Sequence, residues 1–139
     1  MKRIMVTKIG EPRESLVVQE VEAPKPKAGE VLVEMLAIPI HPADLLVMRG
    51  RHVFNADYPC GTGIEGAGRV IGHGPGVNHP SIGQRVALPF GGTWSEQVTL
   101  PADSVIPLPD GVDLHQGAMV ALNPVTALGL LMGMKPGQW

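Results

Sequence analysis

The sequence predicts an α+β fold, mainly β: a partly open β-barrel followed by helices near the C-terminus. Three observations carry this. Short apolar, β-branched runs alternate with turns, and 18 glycines and 14 prolines are spread among them along the 139 residues, the pattern of many short strands. After Asp113 the periodicity changes, and the apolar residues fall in runs that suit helices. The length admits one domain with a real core and is too short for two full ones.

The elements follow in chain order. Ile4 to Thr7 and Leu16 to Val21 read as strands joined by a turn at Gly10-Glu-Pro12. Ala23 to Gly29 is a stiff polar connection. Glu30 to Ile40 reads as a long strand with Val31, Val33 and Met35 on one face, its second half buried on both sides. Pro42 to Met48 is a short helical turn with proline at its permitted first position. Gly50 to Gly63 has little periodicity, and Arg51, His52, Phe54, Asn55 and Tyr58 make it a candidate functional loop. Gly66–Gly72, Arg85–Pro89, Thr93–Leu100 and Ser104–Leu108 read as further strands. Gly72-His-Gly-Pro-Gly76 has the look of a phosphate turn, but its proline and the lack of a following helix make it a turn between strands. Asp113-Leu-His-Gln116 is a capping pattern leading into a helix through Leu122. Asn123-Pro124 reads as an N-cap and first-turn proline opening a second helix that runs to about Met132.

Composition excludes several classes. An apolar fraction of 44% with 17% charged residues belongs to a globular protein rather than a disordered one. A net charge of −2 provides no basic field for nucleic acid and no polybasic membrane patch. The single cysteine, Cys60, forms no internal disulfide and cannot build a thiolate zinc site by itself. No run approaches the roughly 20 apolar residues of a membrane span, and the apolar stretch after Met1-Lys-Arg is too short for a signal peptide. A soluble, cytoplasmic protein is expected.

Several segments, in this order, resemble the medium-chain dehydrogenase/reductase superfamily: Ala28-Gly-Glu-Val-Leu-Val-Glu34, His41-Pro-Ala-Asp44, Gly63-Ile-Glu-Gly-Ala-Gly-Arg-Val70, Gly83-Gln-Arg-Val86 and Lys135-Pro-Gly-Gln138. Gly92-Thr-Trp-Ser-Glu-Gln-Val98 and Leu122-Asn-Pro-Val-Thr-Ala127 are most similar to the zinc-free branch of quinone oxidoreductases and 2-enoyl thioester reductases. The resemblance implies a GroES-like barrel as the catalytic domain, placed at residues 1–112, and helices at 113–139 leading to a Rossmann domain absent from this chain. It also implies NADPH as cofactor, bound mainly by that absent domain, and a homodimer for the intact protein.

By the same resemblance, His41 stands where the zinc enzymes have a cysteine ligand, Ile64 where they have a histidine, and Leu122-Asn-Pro124 near the third ligand. Too few donors remain for zinc. A conjugated carbonyl already has an electrophilic β-carbon, whereas an alcohol needs a Lewis acid to stabilise its alkoxide. The expected reaction is therefore zinc-independent hydride transfer to an α,β-unsaturated thioester or ketone. A quinone is the alternative substrate, and a GroES-like binding or assembly module without catalysis is the alternative of another class.

The candidate site residues come from these matches. His41 is read as a donor to substrate or cofactor, or as a cap of the following helix. Asp44 caps or orients that loop. His52 falls where enoyl reductases carry a tyrosine that protonates the substrate α-carbon, and an imidazolium can act as a general acid; the other reading is a solvated loop histidine. Tyr58 is an alternative acid and a substrate-side candidate. Thr126 matches a threonine facing the nicotinamide, or bonds back to the preceding turn. Asn123 is either a substrate contact or an N-cap, and Trp94 either a substrate platform or core. Glu65 is expected to be a buried carboxylate bonded to backbone or to Arg49 or Arg69. Cys60 has no recognisable base beside it. His73, His79 and His115 are assigned no chemistry.

Overall fold

In the computed structural model, residues 1–52 and 57–133 are described. Phe54 and Asn55 of the candidate loop, and the Lys135–Gln138 motif, lie outside them. Two antiparallel sheets organise the described residues. The first has the order β2-β1-β4, from β1 (Lys2–Val6), β2 (Leu16–Glu20) and β4 (Cys60–Gly61). The second has the order β7-β3-β5-β6-β8, from β3 (Glu30–Ala37), β5 (Glu65–His73), β6 (Arg85–Pro89), β7 (Gln97–Pro101) and β8 (Ile106–Pro107). Four short helices among the described residues accompany them: α1 (Pro12–Ser15), α2 (Pro42–Met48), α3 (Leu114–Gly117) and α4 (Asn123–Leu131). None of the helices among the described residues is long and apolar enough to cross a membrane.

The period-2 rule explains the main core. Val31 and Val33 point to one face of β3 and are fully buried, packing with Val70, Val86, Leu88, Val98 and Val105 from the neighbouring strands. Each such side chain contributes about 1.5–3 kcal/mol of transfer free energy. A second cluster joins Ala67 and Ala87 of the sheet to Leu108, Ala118 and Ala121, which brings the chain after α3 onto the barrel. A third, of Val6, Met48 and Trp94, fastens the small sheet to α2. Arg85 of the Gly83–Val86 motif ties β6 to the approach to α3, its guanidinium donating to the carbonyls of Val112, Pro109 and Asp110.

The structure departs from the sequence reading at several edges. The second half of β3 is not buried on both sides: Leu36 is 40% exposed. Pairing with β7 stops at Glu34↔Gln97 while pairing with β5 continues to Ala37↔Ala67, so one flank of the strand end loses its cover. The turn at Gly10–Pro12 closes into α1, with Pro12 in the first turn. The segment read as loop holds β4, which pairs with β1 through Val6↔Cys60. Residues 93–96 are irregular, so β7 starts only at Gln97, and β8 is two residues long.

The C-terminal helices also differ. Asp113 caps α3, accepting from the His115 and Gln116 amides, but the helix stops at Gly117 instead of Leu122. There the chain lies against Leu108, where a Cβ on Gly117 would come within 2.6 Å of a Leu108 methyl, and it proceeds in turns. The N-cap of α4 is Leu122, not Asn123, because the Leu122 amide is held by a carboxylate from β5 and the helix opens one residue early. Gly72–Gly76 is a turn as expected: β5 runs through His73, and β6 is the next element. A Cβ on Gly74 would lie 1.7 Å from the Lys27 carbonyl, which is why glycine stands there.

Candidate active site

A cavity of about 340 Å³ opens where α2, β4, the start of β5 and the start of α4 converge. Its wall is mostly apolar, with Val47 of α2, Ile64, Phe90 and Leu122 among the lining residues; Asp44, His52, Cys60 and Thr62 bring polar atoms. Phe90 lies in the left-handed region at φ 58°, a conformation that disfavours a bulky side chain by about 1–2 kcal/mol. The Ile64 carbonyl holds its amide in place.

Behind the wall lies a chain of carboxylate contacts. His41 is the N-cap of α2, and Asp44 Oδ2 accepts its backbone N–H at 2.7 Å while the His41 ring reaches back toward the Asp44 amide. The ring Nε2 meets Glu65 Oε1 at 2.7 Å, and Glu65 Oε2 accepts the Leu122 amide at 2.9 Å. Glu65 is fully buried. The arginines expected beside it are elsewhere: Arg49 pairs with Glu11 on the surface, and Arg69, exposed on β5, makes no ion pair among those of the described residues. Sequence spacing could not show this, because β5 presents Glu65 inward and the partners come from residues 24 and 57 positions away.

Asp44 is 1% exposed. Burial raises its pKa, opposed by the His41 amide and ring and by the Ile64 amide. A raised folded-state value means that the folded chain binds this proton more tightly than the unfolded chain. Asp44 therefore favours folding below the ordinary aspartate range of about 3.9, and that contribution is lost as pH rises through the shifted value. Asp44→Asn, which can still accept the His41 amide, is expected to flatten the fall in thermal midpoint above about pH 4. A steeper fall in the variant, followed by circular dichroism across that range, would contradict the assignment.

Of the residues the sequence assigns to catalysis, cofactor or substrate, His52 lines this cavity, beside Asp44 and Cys60. The Tyr58 hydroxyl donates to the Val47 carbonyl at 2.8 Å, its ring packs on the Val6–Met48–Trp94 cluster, and burial raises its pKa. Trp94 belongs to that cluster and is 8% exposed. Asn123 and Thr126 lie exposed on α4, and the Thr126 hydroxyl bonds back to the Leu122 carbonyl at 3.0 Å. Cys60 is half-buried, and its thiol pKa is raised by burial and by the Asp57 charge, which keeps it protonated and unreactive. Sequence reasoning missed Phe90 and the reach of Glu65; the only local signal was the Phe90-Gly-Gly92 run, whose glycines mark a tight turn.

Among the described residues no three His, Cys, Asp or Glu side chains come together as a metal site. They also contain no glycine-rich turn between a strand and a helix, so they do not fit the phosphates of a dinucleotide.

Two antiparallel sheets with a cavity beside the start of an exposed helix form an architecture shared with solved quinone oxidoreductases, that of the N-terminal barrel of the medium-chain dehydrogenases and reductases. The chain belongs to the alcohol dehydrogenase GroES-like domain family, which matches residues 27–110. It is 35% identical over 127 residues to the mitochondrial enoyl-[acyl-carrier-protein] reductase of Caenorhabditis elegans, covering 89% of this chain and 36% of that protein. Among solved structures it resembles the Escherichia coli quinone oxidoreductase complexed with NADPH, with a TM-score of 0.83, 31% identity, and coverage of 94% of this chain and 40% of that one. An enoyl thioester reductase from Candida tropicalis, in a mutant form, superposes with a TM-score of 0.80 at 26% identity, covering 95% of this chain and 43% of that one. The chain thus spans about two fifths of the length of these relatives.

Proposed function

We propose that this chain forms the substrate side of an NADPH-dependent oxidoreductase that reduces an α,β-unsaturated thioester or ketone without zinc. The observation that carries the reading is the cavity: a largely apolar pocket with His52 on its wall. Bound NADPH supplies the hydride in such a reaction, and it would be held mainly by a nucleotide-binding domain beyond these residues. The exposed apolar side chains of α4, Val125, Leu128 and Leu131 among them, suit the packing of such a domain. The proposal puts Thr126, which resembles a family threonine, on the nicotinamide side.

The chain's own residues do the rest. The apolar wall excludes water from the conjugated acceptor. His52 holds the proton that the α-carbon requires once its β-carbon has been reduced. Tyr58 is the less suited acid, since its hydroxyl is committed to Val47. A cytoplasmic location and a homodimer belong to the same proposal.

The zinc-free part rests on the donor set. His41 has its ring nitrogen on Glu65, and Ile64 offers no donor at all. Quinone reduction is the second reading, favoured by the likeness to the E. coli quinone oxidoreductase. Steady-state assays of the full-length protein with NADPH test both, using crotonyl thioester, 2-cyclohexenone and 1,4-benzoquinone. Turnover of the first two after exhaustive chelation is expected. Turnover of the quinone alone would leave only the second reading, and loss of all activity on chelation would overturn the zinc-free claim.

A further inference from the structure

We propose that Glu65 is a positioning residue of the acceptor cavity: it holds the His41 ring on one carboxylate oxygen and the Leu122 amide on the other, and so sets the spacing of two cavity walls. The inference deepens the reductase reading and rests on it. Ala43, Asp44 and Val47 on α2 line the cavity, and so does Leu122, the N-cap of α4. The residue that joins them is neither on α2 nor on α4 but at the first position of β5, next to the lining residue Ile64.

Three features argue for placement rather than packing. First, Glu65 is fully exposed to the desolvation cost of burial, with 0% surface accessibility and no lysine or arginine pairing with it among the described residues. An apolar residue of similar volume would fill that space more favourably. Second, both carboxylate oxygens are used, on partners from different elements. Third, His41 is itself held by a second buried carboxylate, since Asp44 anchors its backbone. Two buried acids thus fix one residue, whose side chain is only 13% exposed.

The arrangement prescribes a tautomer. Taken as an ionised carboxylate, Glu65 accepts on both oxygens, from the Leu122 amide on one and from the ring's Nε2–H on the other. Nδ1 is then bare, as suits a ring turned back toward the Asp44 amide. A glutamine at position 65 breaks this pattern. Its amide oxygen can stay on the Leu122 amide, but its NH₂ group then faces Nε2, and the ring must shift its proton or move away.

Nitrogen-15 imidazole spectra of the wild-type chain should show His41 protonated at Nε2 and bare at Nδ1. In Glu65→Gln the Nε2 signal should change, with the Leu122 amide proton nearly unmoved; in Glu65→Leu that amide should move upfield as well. In the full-length protein, Glu65→Gln should raise the KM for the acceptor about tenfold with kcat changed by less than about threefold, the split expected for lost ground-state binding. His41→Ala should do the same, and the double variant should be no worse than either alone, because the two act through one link. A wild-type His41 bare at Nε2, an unchanged KM in Glu65→Gln, or additive effects would each overturn the proposal. Absence of any acceptor turnover would sink the reductase reading instead, and the wild-type tautomer would then decide the Glu65–His41 link by itself.

Discussion

Gly63→Ala is expected to lower the unfolding free energy by about 3 kcal/mol or more, through overpacking combined with backbone strain. Gly63 has φ +103°, and a Cβ there would lie 2.4 Å from Trp94 Cδ1, 2.5 Å from the Thr93 hydroxyl and 2.7 Å from the Trp94 amide. None of these neighbours can yield cheaply. Trp94 is wedged into the Val6–Met48 cluster, and Thr93 is fully buried with its hydroxyl on the Glu65 carbonyl. Gly76 provides the control: its φ is +82°, but nothing lies within 4 Å of its Cβ position. Gly76→Ala should therefore cost only the backbone strain, about 1 kcal/mol. Urea unfolding read at constant slope separates the two. Equal losses would show that the crowding under the cavity floor is not what fixes glycine at position 63.

His52→Phe in the full-length protein should lower kcat for an unsaturated thioester by about 100-fold, the low end of what general acid catalysis contributes. Quinone reduction should change far less, since its protons go to oxygens that exchange with water unaided. His52→Tyr should retain most of the activity, because a phenol can also act as a general acid. The two variants share a cavity-lining position, so a plain steric effect would move both substrates together. Equal loss on thioester and quinone would remove His52 from the role of proton donor.

Much of the barrel was legible in the residues. The alternation of Val31 and Val33, the Gly72–Gly76 turn and the Asp113 cap are local features, and each stands where the pattern placed it. Apart from the short α1 and β4, which lie where the pattern gives a turn and a loop, the errors fall at element ends. β3 loses its second flank beyond Glu34, α3 stops at Gly117, and α4 has Leu122 rather than Asn123 as its N-cap. In each case a partner distant in sequence decides where hydrogen bonding starts or stops, and no local propensity reports on it.

The candidate site divides in the same way. Resemblance drew attention to His41, His52, Tyr58, Trp94, Asn123 and Thr126, but folding brings only His52 to the cavity wall and turns Tyr58 and Trp94 into the packing beneath it. Glu65 moved in the opposite direction: expected as a buried carboxylate bonded to backbone or to an arginine, it is buried on the Leu122 amide and, in place of an arginine, on the His41 ring, linking two helix starts.

By itself, the sequence determined the class of fold, the order of the strands' apolar faces and the scarcity of metal donors, because these depend on residue type and short-range spacing. Only the tertiary structure decided which polar groups share a buried space. That depends on antiparallel register and on close approach between residues far apart along the chain, where burial makes every unsatisfied charge expensive.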